Sequence, residues 1–336
     1  FILGLLGIYI GGALALFAVR AGTVSEGERF SFTSREGALV FNNVMLSAIL
    51  GIVLFGTLYP LVTEAFGQKV SVGPPYFNPV GALFTVPMLL VMAVGPLLRW
   101  RQDRLARVKW EIIVPAALIG LTAIGLLVWA DMGVLPFIGM ALSGGLALAS
   151  LLPLRGRSLR RTPLATWGMV VAHFGIALAL FGMASESAFT KERLVAKSVG
   201  DVTEVGPWKV TFTGVKPVAG PNWTAIEADM FASYQGGRPV EIKPQARSFW
   251  SPPQMTSESA LVTRWNGQLY AVLGEQGEDG RWQLRLWWKP FVPMIWYGGL
   301  LIALGGLLAL FGRVASDLRR LIAREKIADR RQRQGR

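Results

Sequence analysis

The chain has one histidine and no cysteine. Disulfides, thiolate metal sites and cysteine nucleophiles are therefore excluded within it. The histidine, His173, sits in Thr166-Trp-Gly-Met-Val-Val-Ala-His-Phe-Gly-Ile-Ala-Leu-Ala-Leu-Phe-Gly182, a stretch without a charged residue and long enough to cross a bilayer. At about 1.5 Å of rise per residue, the ring falls roughly 10 Å from the Thr166 end, inside the hydrocarbon. An imidazole there requires a partner: a hydrogen bond, an ion or a metal. Two readings stand. One is a histidine hydrogen-bonded across a helix interface, and the other is a metal or haem ligand. Beside His173 runs a stripe of small residues, Ala172, Gly175, Ala179 and Gly182. Such a stripe admits a second helix, or a flat ligand, at close range.

A histidine at that depth needs a membrane bundle to hold it. Of the 336 residues 52% are hydrophobic, which places the chain among polytopic membrane proteins. It opens on Phe1 inside an apolar run, and the expectation is a piece of a longer protein. Seven segments are long and apolar enough to span: roughly 1–19, 39–60, 79–98, 111–130, 133–154, 165–185 and 293–312. The fourth and fifth form a tight hairpin at Asp131. Domain organisation follows: helices and short loops over 1–186, an insert over 187–292, a last span over 293–312 and a basic tail over 313–336.

The formal charge of +13 is distributed unevenly. Arg20, Arg29 and Arg35 lie in the first connection, Arg99 to Lys109 in the third, Arg155 to Arg161 in the fifth, and the tail is more basic still. The second connection has only Lys69, and the fourth has neither Lys nor Arg. By the positive-inside rule the basic connections and the tail face the cytoplasm, and the insert lies outside. The charge is thus a topology signal. No motif or aromatic platform accompanies it, so nucleic acid is not expected as a partner. The partner the charge implies is the lipid bilayer. The tail from Asp317 to Arg330 reads as a short basic amphipathic helix on its inner surface. Trp287, Trp288, Trp296 and Tyr297 read as an interfacial aromatic belt.

The insert nearly balances its acidic and basic residues, and its apolar residues alternate. The runs are Trp208 to Val215, Ala225 to Tyr234, Ala260 to Trp265, Gln268 to Leu273 and Arg281 to Trp287. Gly236-Gly237, Asn266-Gly267 and Gly277 to Gly280 separate them as turns. This predicts an extracytoplasmic all-β domain of six or seven strands, a sandwich or small barrel. The insert has no histidine and no evident catalytic set. Lys69 to Asn78, with Gly73-Pro-Pro75, reads as a rigid, non-helical outer segment that either lines a cleft or merely ends the helices.

Several stretches carry a resemblance. Ser34-Arg-Glu-Gly37 and Asn42-Asn43 are followed by Gly56-Thr-Leu-Tyr-Pro-Leu61, Lys69 to Asn78 and Gly95-Pro-Leu-Leu-Arg-Trp100. Later come Ala172-His-Phe-Gly175, Ala271-Val-Leu-Gly-Glu275 and Lys289-Pro-Phe-Val292 ahead of Ile295-Trp296. In this order they resemble the C-terminal half of the CcmF family, the haem lyase component of bacterial cytochrome c maturation. The resemblance implies a multi-pass protein of the bacterial inner membrane with its large loop in the periplasm. It implies haem taken from the chaperone CcmE and attached to apocytochrome c, whose thiols CcmH handles. It further implies a haem b held by two transmembrane histidines, of which His173 matches the second. The family's Trp-rich motif and its two periplasmic histidines are not present in this chain and are expected ahead of Phe1. No residue of the chain is assigned a catalytic role. Thioether formation joins a cysteine thiol to a haem vinyl group, and both are brought by partners, so positioning is the enzyme's task. The rival reading is a transporter or scaffold with a docking β domain and a structural His173. A transporter is expected to show paired repeats or a midplane carboxylate, and the sequence has neither.

Overall fold

A computed structural model describes residues 2–23 and 30–334, with side chains to residue 319. Seven helices are long and apolar enough to cross a membrane among these residues. They are α1 (Ile2–Arg20), α2 (Arg35–Ala65), α3 (Pro74–Val94), α4 (Lys109–Trp129), α5 (Val134–Leu151), α6 (Leu164–Phe189) and α7 (Pro293–Gln334). The chain is a multi-pass membrane protein with an inserted β domain.

Local chemistry sets the helix ends. Ser34 caps α2 by accepting from the Gly37 amide at 3.0 Å, and it is fully buried. Pro74 and Pro75 occupy the first turn of α3. The expected non-helical segment from Lys69 to Asn78 therefore becomes helix at Pro74. Proline lacks an amide donor, which the first turn does not need, and its φ is preset for helix. The basic tail is likewise not a separate element, since the α7 backbone runs unbroken to Gln334. No glycine or proline follows Gly312 until Gly335 to interrupt it.

Helices α6 and α7 are antiparallel, and glycine builds their contact. Gly168, Gly175 and Gly182 recur every seven residues on α6, and Gly298, Gly305 and Gly312 do so on α7. A Cβ on Gly175 would lie 2.7 Å from the Gly298 carbonyl oxygen, and one on Gly305 would lie 2.5 Å from the Ala172 amide. A Cβ on Gly312 would lie 2.6 Å from the Ala165 amide. The small stripe beside His173 thus receives a helix, and the seven-residue period keeps the seam aligned over the contact.

The β domain has ten strands rather than six or seven. One sheet runs β1 (Lys191–Lys197), β10 (Trp282–Pro290), β9 (Gly267–Gln276), β8 (Ala260–Arg264). The other runs β2 (Val202–Val205), β3 (Trp208–Ala219), β4 (Trp223–Tyr234), β6 (Gln245–Trp250), β7 (Pro253–Glu258), and β5 (Val240–Ile242) also pairs with β4. All pairings are antiparallel. Alternate residues fill the space between the sheets: Trp208, Val210 and Phe212 from β3, Leu269, Ala271 and Leu273 from β9, Leu284 and Leu286 from β10. Each large apolar side chain buried this way contributes about 1.5–3 kcal/mol before entropy is subtracted.

Trp288 belongs to that core, 7% exposed, and not to the aromatic belt. The strand period of two explains this, since Leu284, Leu286 and Trp288 share a face. Trp296 and Tyr297 stay exposed on α7, where lipid would meet them. The β8–β9 hairpin turns on Trp265-Asn266, because Arg264 pairs directly with Gly267. Gly267 opens β9 at φ +156 with its α-carbon against the Trp288 ring, where no larger residue fits.

Two contacts fasten the domain to the bundle. Lys289 donates to Glu186 at 3.0 Å, joining β10 to the end of α6. The Phe291 ring lies 5.3 Å from Phe181 and 6.4 Å from Trp265.

Candidate functional site

The face of α6 that adjoins the glycine seam at Ala165 carries Ala165, Thr166, Met169 and His173. At 3.6 residues per turn these positions share one face. On α2, Arg35, Ala38, Leu39 and Asn42 do the same. These faces, with Met92 of α3, Pro96 and the Pro153 to Arg157 connection, enclose a cavity of about 420 Å³, within the range of small-molecule sites. His173 therefore faces a cavity and not a helix interface. Among the described residues its ring makes no hydrogen bond. A polar ring in that position retains its ligand capacity.

The cavity lies at the end of the bundle where the described basic connections gather. Arg35 is placed there by a tight backbone clasp between two of them. The Arg35 amide donates to the Arg99 carbonyl, the Ser31 amide to the Arg101 carbonyl and the Asp103 amide to the Thr33 carbonyl, each at 2.9 Å. Asp103 is the knot. Its carboxylate accepts from the Arg99 amide at 2.8 Å, from the Arg104 amide at 2.7 Å and from the Arg107 guanidinium. Arg107 also donates to the Leu97 carbonyl at 2.7 Å. The guanidinium of Arg107 and the two amides hold the Asp103 carboxyl well below the usual carboxylate range. Arg101 takes a left-handed φ of 65°, and its amide reaches Glu36 at 2.7 Å.

The Arg35 guanidinium is fixed between two soft contacts. Its carbon lies 5.1 Å from the Trp100 ring centroid, and one nitrogen lies 4.0 Å from the Met169 sulfur. Arg157 enters the cavity from the connection before α6 and is exposed. Neither arginine has an ion-pair partner among the described residues. Among the described residues no Asp or Glu lines the cavity.

Of the methionines that other spans could bring to His173, Met92 lines the cavity, whereas Met45 and Met88 do not. Met169 lines it from the helix of His173 itself, and Met183 lies in a separate groove beside Glu186. The sequence marks Arg35 only as a topology charge. Its proximity to Asn42, one seven-residue step along an otherwise apolar face, is the signal that could have drawn it into the site. Arg157 carries no such signal, because it belongs to a connection whose path is set by Pro153 and Pro163.

The donor set fits a haem. Porphyrin nitrogens supply the equatorial positions, so the protein needs axial groups only. The cavity offers an unbonded imidazole, a thioether from a second helix, apolar walls and two cations.

Residues 188–290 match the family model described as the CcmF C-terminal β-sandwich. The chain is 36% identical over 317 residues to the cytochrome c-type biogenesis protein CcmF of Escherichia coli strain K12, covering 93% of this chain and 49% of that protein. It is 38% identical over 329 residues to the cytochrome c-type biogenesis protein CycK of Rhizobium meliloti strain 1021, covering 93% and 48%. A solved structure of the cytochrome c haem lyase CcmF superposes with a TM-score of 0.67 at 28% identity, covering 83% of this chain and 46% of that one. The chain spans about half the length of the curated relatives it matches. Along nearly its whole length, this chain resembles the C-terminal half of CcmF and carries that family's C-terminal β-sandwich.

Proposed function

We propose that this chain forms the C-terminal half of a haem lyase that attaches haem to apocytochrome c at the periplasmic face of the bacterial inner membrane. In this reading His173 is an axial ligand of a haem b held within the membrane. The observation that carries it is the face of α6: its lone imidazole points into a 420 Å³ cavity with no hydrogen bond among the described residues. His173 would hold the iron, Met169 and Leu39 would wall the macrocycle, and Met92 lies where a group from another helix can approach. When bound, the haem supplies one-electron chemistry. The residues of this chain bind it, orient it and exclude water from it. The glycine seam serves that task by fixing α6 against α7, so that His173 keeps one position.

In the same reading the second axial histidine comes from the part of the family's length outside this chain, and CcmE, CcmH and apocytochrome c are the partners. The β domain, held to the bundle by Lys289–Glu186 and the Phe291 cluster, is the surface this chain presents to them on the periplasmic side. The test is an absorption spectrum of the chain purified alone and with the remaining half of the family's length. Alone, it should hold haem weakly or in high-spin form. Together, the two halves should give a low-spin spectrum that His173→Ala abolishes. A stable low-spin spectrum from the chain alone would place the second ligand inside it, with Met92 the first candidate.

A further inference from the structure

The cavity beside His173 has a charge pattern that the axial ligand does not explain. Arg35 and Arg157 both line it, and among the described residues no carboxylate does. Neither guanidinium has an ion-pair partner among the described residues. Arg35 is half-buried and oriented by two weak contacts, the Trp100 face and the Met169 sulfur. Those contacts leave most of its donors unused, since a guanidinium carries five. Holding the half-buried Arg35 cation at the edge of an apolar cavity without an anion is costly, and exposed Arg157 beside it adds a second donor for one. The lining of α6 extends from His173 to Ala165, eight residues or about 12 Å along the helix. Arg157 lies beyond that far end and Arg35 stands across from Met169, so both cations sit to one side of the imidazole.

Resting on the haem reading above, we infer that Arg35 and Arg157 bind the propionate carboxylates of the haem held by His173. The acidic edge of the macrocycle then faces the basic-loop end of the bundle and its vinyl edge faces away from it. Guanidinium–carboxylate pairing is bidentate and directional, so the two arginines select one orientation of a ring that a single axial bond leaves free to rotate. The Asp103 clasp has a purpose in this arrangement: it fixes the backbone from which Arg35 projects.

The test uses the chain co-expressed with the family's remaining half, stripped of haem and reloaded with either haem b or its dimethyl ester, which lacks carboxylates. The unaltered protein should prefer the free acid by about 10- to 100-fold, the scale of one or two charge-assisted hydrogen bonds. The double variant Arg35→Gln, Arg157→Gln should lose that preference. Its bound haem should also have a more negative midpoint potential, because the removed cations favour the reduced form. Arg35→Lys, which keeps the charge, should retain most of the preference and shows that the fold survives. Arg157 is exposed, so its substitution alone is a second control on folding. A preference unchanged in the double variant overturns the propionate assignment, and leaves the arginines to anionic lipid headgroups. Haem binding unchanged by His173→Ala overturns the haem reading itself, a separate outcome.

Discussion

His173 and Asp103 are the two side chains on which the site depends most, and they depend on opposite kinds of surroundings. His173 lines a cavity walled by both apolar and basic side chains, and it makes no hydrogen bond among the described residues. Asp103 is 8% exposed and saturated with donors. Its carboxyl is held below the usual range by Arg107 and two amides. A depressed folded value contributes stability that is complete above the ordinary carboxylate pKa of about 3.9 and is lost as pH falls below it, toward the folded value. The clasp should therefore stay intact down to about pH 4. Asp103→Asn should lose this contribution wherever the carboxyl is ionised, at a cost of about 1–3 kcal/mol from the unpaired donors. Thermal unfolding in detergent across pH 4–8 checks this: the gap between the two proteins should be flat over that range. A gap that closes well above pH 4 would mean that Asp103 is not held ionised by its partners.

At the scale of elements, the α6–α7 seam makes the sharpest forecast. A methyl on Gly305 would meet the Ala172 amide at 2.5 Å, and Gly299 and Gly306 meet nothing within 4 Å. Gly305→Ala should cost about 1–3 kcal/mol by forcing the helices apart, and it should weaken haem retention because His173 shares α6. Gly306→Ala should be neutral or stabilising by up to about 1 kcal/mol, from helix propensity alone. Equal effects of the two substitutions on detergent unfolding midpoints would show that the glycine seam does not set the α6–α7 contact. The sequence displayed half of this seam. The stripe from Ala172 to Gly182 is visible as a pattern on one helix. Its partner, Gly298, Gly305 and Gly312, lies more than a hundred residues away, and nothing local links the two. The same holds in the β domain. Strands β3, β4 and β8 to β10 alternate cleanly and are legible. Strands β1, β5, β6 and β7 bury few residues and show no such period. They exist because a paired neighbour completes their hydrogen bonds, which is a tertiary cause.

For the whole molecule, the organisation is two-ended. The cavity and the described basic connections occupy one end of the bundle, and the β domain occupies the other. Charge distribution along the sequence was enough to propose the sidedness, since it needs only composition and order. Reporter fusions after Val62, Asp131 and Gly220 should all read periplasmic, and a cytoplasmic reading at Gly220 would invert the molecule. The location of His173 inside a span was equally legible. Which groups it faces was not, because Arg35, Met92 and Arg157 reach the cavity through the Ser34 cap, the turn at Gly95 and the connection after Pro153. Each of those is a packing event that a linear pattern does not encode.

If His173 bonds to iron, an imidazole supplied from solution can take its place. His173→Gly, co-expressed with the family's remaining half, leaves a gap the size of an imidazole beside the cavity. This variant should lose the low-spin haem spectrum, and millimolar imidazole added to the purified protein should restore it. A variant that keeps the unaltered low-spin spectrum without imidazole would show that the iron is held by groups other than His173.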